Sequence, residues 1–380
     1  MIFFRSLLIL ILMIALSACI VPKRIYSGAE ILQIASDRVT AVEGGRIEVP
    51  FAITPEMAQF ARDATRDKVT HVRKAIALVE AMISKWDLEI TYDSSADMTA
   101  HQVFFERRAN CMSFTNLFIG LSRSLGMDTA YVDVPQLSDY SIEGNIILNN
   151  GHMCAGLWDG GEFYLVDFSP DPEKHYRIYR IIDDLEAIAH HYNNLGYRVL
   201  RENPAHIDEA IRYYRISTEI KPGFPPGHNN LGAAYASRGD LDQARFHYEC
   251  ALEHDPQMAE ANCNMGSLFF TQGRLSEAKK HFEKAVSAAK DNSHYHYRLG
   301  MTDYFLGDFR SASRHFIETI RIDERFTSAY IGLALIEERL LQYDTALEHL
   351  EKALSIQPGL SDATSRYNNI MLKASLVADI

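Results

Sequence analysis

Five alanines, Ala210, Ala244, Ala278, Ala312 and Ala346, stand 34 residues apart, and no other feature restricts the fold of this 380-residue chain so strongly. A fixed period of that length means copies of one small unit, each too short to bury its apolar face alone, stacked on their neighbours. Gly232, Gly266 and Gly300 keep the same step, and Ala334 continues it. Leu231, Met265 and Leu299 precede these glycines, and turn glycines follow at Gly239, Gly273 and Gly307. Four residues after each alanine comes Tyr214, Tyr248, Phe282, Phe316 or, in the last copy, Leu350. Pro222, Pro256 and Pro358 close three copies, where a following helix must start afresh. Small residues let two antiparallel helices approach closely, and the aromatic fills the gap left between neighbouring hairpins.

This pattern resembles the tetratricopeptide repeat, with five units over residues 188–358 and a capping helix and tail over 359–380. The first unit departs from it: Gly196 lies 14 residues before Ala210 instead of 12, so a longer turn is expected over 202–206. Units four and five are looser, with Asp323 and Glu324 near the expected proline and Ala334 in place of glycine. The resemblance implies an all-α solenoid whose first helices line a groove. Read along that face, the groove turns aromatic and apolar toward its end, at Phe270, Tyr297, Met301, Tyr304, Phe305, Ile331 and Leu335. Such a face suits an apolar or helical segment of a protein or peptide partner, or else a cover from the chain's own first domain or C-terminal helix. No lysine pair stands ready there for a carboxylate.

At the other end, Arg5 precedes an apolar run from Leu7 to Leu16. The run has about half the ~20 residues a helix needs to span a bilayer, and it has the length of a signal-peptide core. It ends in Leu16-Ser17-Ala18-Cys19, which resembles the bacterial lipobox. That resemblance implies a signal peptide over 1–18, removed to leave a lipidated Cys19 at the head of a linker over 19–50. Two or three acyl chains suffice for stable anchoring. Ile20 in place of Asp favours the outer membrane, with the protein facing the periplasm.

Between anchor and repeats, helical spacing of Ile76, Val79, Met82 and Ile83 predicts helix over 54–84, followed by a strand at Leu88–Tyr92. An apolar helix opens at Cys111 and closes on Gly126. Strands are predicted over 129–134, 145–149, 152–158 and 162–168. The last two flank Asp159-Gly160-Gly161, a hairpin signal. A two-residue turn at Asp159-Gly160 puts His152 opposite Asp167 on one side of the sheet, and a one-residue slip separates them.

These residues resemble the transglutaminase-like, papain-related superfamily, over a domain spanning 51–187. The expected fold is α+β: N-terminal helices on an antiparallel sheet, followed by the solenoid. Residue by residue, the resemblance implies Cys111 as nucleophile, His152 as base and Asp167 as the group orienting it. A cysteine at a helix N-terminus gains thiolate character from the dipole and a neighbouring imidazolium. Water as second nucleophile makes such an enzyme an amidase or peptidase; an amine makes it an acyltransferase. The chain departs from the family at Ala109, where glycine is usual, at Cys154, where an aromatic is common, and at Gly156, often Glu. These changes leave open a non-catalytic scaffold in which the repeats do the work. Cys154 also offers a disulfide to Cys111, or a small buried packing residue.

The remaining composition sets limits. Net charge is −12, without the basic footprint that nucleic-acid binding requires. Five cysteines are too few for a disulfide scaffold. Cys250 and Cys263 are expected as packing residues. His190-His191 and His294/His296 are poorly spaced to share a helix face, so no metal, phosphate loop or cofactor is expected.

Overall fold

The computed structural model describes residues 11–13, 28–39, 47–134, 139–143, 146–150, 153–168 and 179–378. Cys19 and its lipobox-like context lie outside them, as does His152. Two compact units divide the chain: Met1–Ser141 with Leu148–Gly239, and Ile142–Ile147 with Asp240–Ile380.

In the first unit, the sheet is built from β4 (Thr129–Asp133), β7 (Met153–Asp159), β8 (Glu162–Val166) and β9 (Arg180–Ile182), with a three-residue edge strand, β1 (Ile11–Met13). Its order is β1-β8-β7-β4-β9, antiparallel throughout. Cleavage of a signal peptide would remove β1 and leave β8 as the edge. Strands β5 (Asp139–Glu143) and β6 (Ile146–Asn150) pair separately, as do the two-residue β2 (Thr91–Tyr92) and β3 (Arg108–Ala109).

Side-chain alternation gives the sheet two buried faces. Met153, Ala155, Leu157, Tyr164, Val166 and Phe168 join the main core, and Cys154, Phe163 and Leu165 join a second cluster with Val132 and Val134. The main-core face is covered by α5 (Cys111–Ser124), whose Phe114 stacks on Phe168 at 5.2 Å. Helices α2 (Pro55–Ala64) and α3 (His71–Ile83) replace the single helix expected over 54–84. Thr70 is the reason for the break: its hydroxyl accepts from the Arg73 amide and restarts the helix. The strand expected at 88–92 shrinks to β2.

The β7–β8 hairpin corrects the expected register. Ala155 faces Val166 and Asp159 faces Glu162, so paired numbers sum to 321 and not 319. The two turn residues are Gly160 and Gly161, with φ of 62° and 87°. This hairpin turn needs positive φ at both central positions, which two glycines adopt without the steric cost that a Cβ at Asp159 carries. A slip of two residues keeps every side chain on its expected face and changes its partner.

Five successive pairs of helices follow in chain order, and the boundary between the two units falls inside the second pair. They are α6 (Asp184–Glu202) with α7 (Ile207–Ile220), α8 (Pro225–Arg238) with α9 (Leu241–His254), α10 (Ala259–Thr271) with α11 (Leu275–Ala288), α12 (Ser293–Leu306) with α13 (Phe309–Ile322), and α14 (Thr327–Arg339) with α15 (Tyr343–Ile356). Helix α16 (Ser361–Ala378) ends the array. A 3-10 turn at Pro204–His206 takes up the extra length in the first hairpin. Gly196 still performs the close-approach role, because a Cβ there would stand 2.7 Å from the Tyr214 ring. Helix α6 is compact with the first unit, not with the later repeats. Arg123 of α5 grips Asp184 with two bonds, 2.8 and 3.1 Å, and donates to the Thr129 carbonyl.

Candidate functional site

Cys111 is the first residue of α5 and is partly exposed. Asn110 caps the helix, its side-chain oxygen accepting from the Ser113 amide at 2.9 Å. The Asn110 side-chain amide donates to Asp97, whose carboxyl burial pushes up. Ser113 Oγ accepts from the Met98 amide and donates to the Ala96 carbonyl, both at 2.7 Å. Arg198 of α6 adds a bond to the Asp97 carbonyl. The first turn of α5 is therefore fastened on two sides. Asparagine just before an apolar run was a legible capping signal; its partner Asp97 was not.

One turn on, Thr115 Oγ1 contacts two carbonyl oxygens, that of Cys111 at 2.9 Å and that of Met153 at 3.3 Å. A single hydroxyl proton is shared between them. This bond ties the cysteine-bearing turn to the start of β7, and Met153 directly follows His152. The spacing from Cys111 to Thr115 is one helical turn, a signal present in the sequence.

Asp167 is buried beside Cys154, whose thiol donates to Oδ1 at 3.7 Å. Both belong to the sheet face opposite the one α5 covers, judged by Met153, Val166 and Phe168 on the α5 side. Cys154 is thus the cross-strand neighbour of Asp167, where the two-residue turn at Asp159-Gly160 predicts His152, a residue outside the described ones. The same placement puts the sheet between Cys154 and α5, which counts against a bond to Cys111. Gly156 is explained by packing: a Cβ there would meet the Phe163 ring at 2.4 Å, so the glutamate common in the family has no room. Ala109 is fully buried in β3.

His191 lies buried on α6. Burial pushes its imidazole down to about 4, with the Arg198 guanidinium adding to the shift. Its folded pKa lies below the unfolded one, near 6.5, so the unfolded chain binds the proton more readily. The stability it contributes is fully present above pH 6.5, declines between about 6.5 and 4, and is lost below, on the order of 3 kcal/mol in all. His191→Phe is expected to reduce the fall in urea midpoint between pH 7.5 and pH 4.5. An equal fall in both proteins would mean that His191 already carries its proton when folded.

In the second unit, Phe270, Tyr297 and Met301 line a pocket of about 430 Å³ with Ser267, Thr271 and Arg298. Phe305, 56% exposed, meets the Phe270 ring edge-on at 5.5 Å. Tyr304 packs partly against the Phe316 cluster, and its hydroxyl accepts from Arg339. Ile331 and Leu335 correct the expected groove. They are taken into a core with Ala363, Tyr367 and Ile370 of α16, and Lys373 of that helix bonds Glu338 at 2.6 Å. The open groove therefore ends at the fourth hairpin, because an apolar helix end without a cover would face water. Arg298 was missed, since it falls outside the groove spacing.

Comparison with known families agrees with this architecture. Residues 58–168 match the transglutaminase-like superfamily, and 225–258, 259–292 and 297–361 match three tetratricopeptide repeat models. The chain carries a transglutaminase-like domain followed by tetratricopeptide repeats. Positions 111, 152 and 167 all fall within the matched segment.

Among solved structures, a crystal structure of MamA is 24% identical, covers 44% of this chain and 97% of its own, and superposes with a TM-score of 0.40. YrrB, described as a TPR protein with an unusual peptide-binding site, is 19% identical, with 47% and 92% covered and a TM-score of 0.41. PilF of Pseudomonas aeruginosa is 18% identical, with 50% and 89% covered and a TM-score of 0.43. No curated protein matches the sequence. The repeats support a protein or peptide partner. Among the described residues, no helix is long and apolar enough to cross a membrane.

Proposed function

We propose that this chain is a lipid-anchored protein of the bacterial cell envelope whose first domain cleaves or transfers amide bonds through Cys111, with substrate or partner held by the repeats. The Thr115 bond carries the reading: it docks the cysteine-bearing helix turn onto the strand that His152 leads into. In this chemistry the Cys111 thiolate attacks an amide carbonyl, and first-turn N–H groups of α5 stabilise the oxyanion. His152 protonates the departing amine as the C–N bond breaks, leaving a thioester. Water then gives a carboxylic acid, or a second amine gives a new amide. Asp167 is the buttress for His152. Lipidation at Cys19 and an outer-membrane, periplasm-facing location rest on the Leu16-Ser17-Ala18-Cys19 pattern. The boundaries at 18, 50, 187 and 358 belong to the same reading.

One observation favours a second reading, a non-catalytic scaffold: Asp167 accepts from Cys154 on the sheet face away from α5. Thiol labelling separates the two. Burial and the acids Glu253 and Glu249 push the Cys250 thiol up, which makes Cys250 a slow internal reference. An activated Cys111 labels near pH 6 much faster than Cys250, and His152→Ala removes the difference. Equal rates in the parent protein select the scaffold.

A further inference from the structure

Helices α11, α12 and α13 line an open cavity of about 670 Å³ that shares no residue with the predicted groove. Within it, His296 of α12 and His315 of α13 bring their Nδ1 atoms to 3.3 Å. His296 is buried, and its Nε2 lies 3.0 Å from the Lys290 carbonyl oxygen. A carbonyl only accepts, so Nε2 carries the proton and Nδ1 presents a lone pair. On His315, Nε2 faces Asp303 Oδ2 at 3.8 Å. Asp303 is 1% exposed; Lys279 takes its Oδ1 at 2.6 Å, and Oδ2 has no hydrogen-bond partner among the described residues.

These contacts set a conflict. With its proton on Nδ1, neutral His315 serves His296 and turns a lone pair on the carboxylate. With its proton on Nε2, it serves Asp303 and leaves two lone pairs facing each other. Neither neutral tautomer suits both neighbours, and a cation between the two Nδ1 atoms suits all of them.

We propose that His296 and His315 bind a divalent transition-metal ion through both Nδ1 atoms, with the Lys290 carbonyl and the Asp303 carboxylate as acceptors behind the two rings. Nitrogens 2.0–2.1 Å from a tetrahedral ion stand about 3.3–3.4 Å apart, the separation found here. Metal-bound imidazoles donate their outer N–H to a carboxylate or carbonyl, which fixes the ring and raises its basicity. Imidazole donors select zinc, copper or nickel over magnesium or calcium. No three His, Cys, Asp or Glu side chains among the described residues are grouped to hold a metal, so water from the cavity completes the shell. Glu318, one turn after His315, is held by Arg321 at 2.7 Å.

A proton is the rival occupant of the same position. The charged side chains nearest the pair are Asp303, Lys279 and Arg314. The other charged groups lining the cavity, Lys290 and Arg321 against Glu283, Asp291 and Glu318, do not make it cationic overall.

The test is calorimetric titration of the full, chelator-stripped chain with Zn²⁺ and Cu²⁺, with circular dichroism confirming that each variant is folded. One ion per chain is expected, bound roughly tenfold or more weakly by His296→Gln and by His315→Gln, and 10–100-fold more weakly by Asp303→Asn. Electron paramagnetic resonance of the Cu²⁺ form should show two coordinating nitrogens, lost in the double His→Gln variant. Unchanged affinity in that double variant overturns the proposal. So does an absence of saturable binding, with NMR showing that the pair holds only a shared proton.

Discussion

Replacing Cys111 by alanine is expected to abolish product formation while leaving the fold in place. The readout is mass spectrometry of bacterial envelope material incubated with the mature protein or its Cys111→Ala variant. Removing a nucleophile that acts in concert with its base costs roughly 10⁴-fold or more in rate. Stability should change little, because Cys111 is partly exposed and the cap, Asn110, is untouched. Products that gain the elements of water identify a hydrolase, and products joined to a second amine identify an acyltransferase. Identical products from both proteins would sink the enzymatic reading and leave the repeat array. Asp167→Asn adds a second arm. A buttressing carboxylate costs about 10⁴-fold when neutralised, whereas a carboxylate serving only Cys154 leaves the rate nearly intact.

Phe316→Ala is expected to cost about 3–5 kcal/mol of stability. The Phe316 ring is fully buried between two helices that carry glycine against it. A Cβ on Gly300 would stand 2.9 Å from the ring, and one on Gly332 2.7 Å. Both backbones have closed around the phenyl group, and neither can collapse into the hole without moving a whole hairpin. Because each repeat is held by its neighbours, the loss should free α14 to α16 before α10 and α11. Hydrogen exchange followed by mass spectrometry reads this directly: protection over 327–356 falls, and protection over 259–288 stays. Equal loss in both regions would show the array unfolding as one block.

Gly332 also shows where sequence reading stops. The 34-residue step gives Ala334 as the small residue of the fifth hairpin, and Ala334 packs there with Ala346 and Leu350; what the step does not give is Gly332, two positions earlier, which admits the Phe316 ring of the preceding hairpin. Period gives a residue's place along a helix, and the rotation of that helix against its neighbour gives the contact.

The 34-residue alanine step, the aromatics that follow it and the turn glycines determined the helical array from sequence alone. Each of these is a local steric demand repeated in copies, so the pattern survives without knowledge of packing. The apolar run from Cys111 to the Gly126 stop likewise determined that a helix starts at Cys111. Tertiary structure alone decided three things. Two legitimate two-residue turns exist in Asp159-Gly160-Gly161, and the positive φ of both glycines chose the one that puts Cys154 opposite Asp167. Helix α16 decided where the groove ends by taking Ile331 and Leu335 into its own core. The meeting of His296 with His315 joins two helices whose mutual rotation no spacing in the sequence records. Repetition is written along one dimension; register, cover and contact depend on how separate surfaces find each other in three.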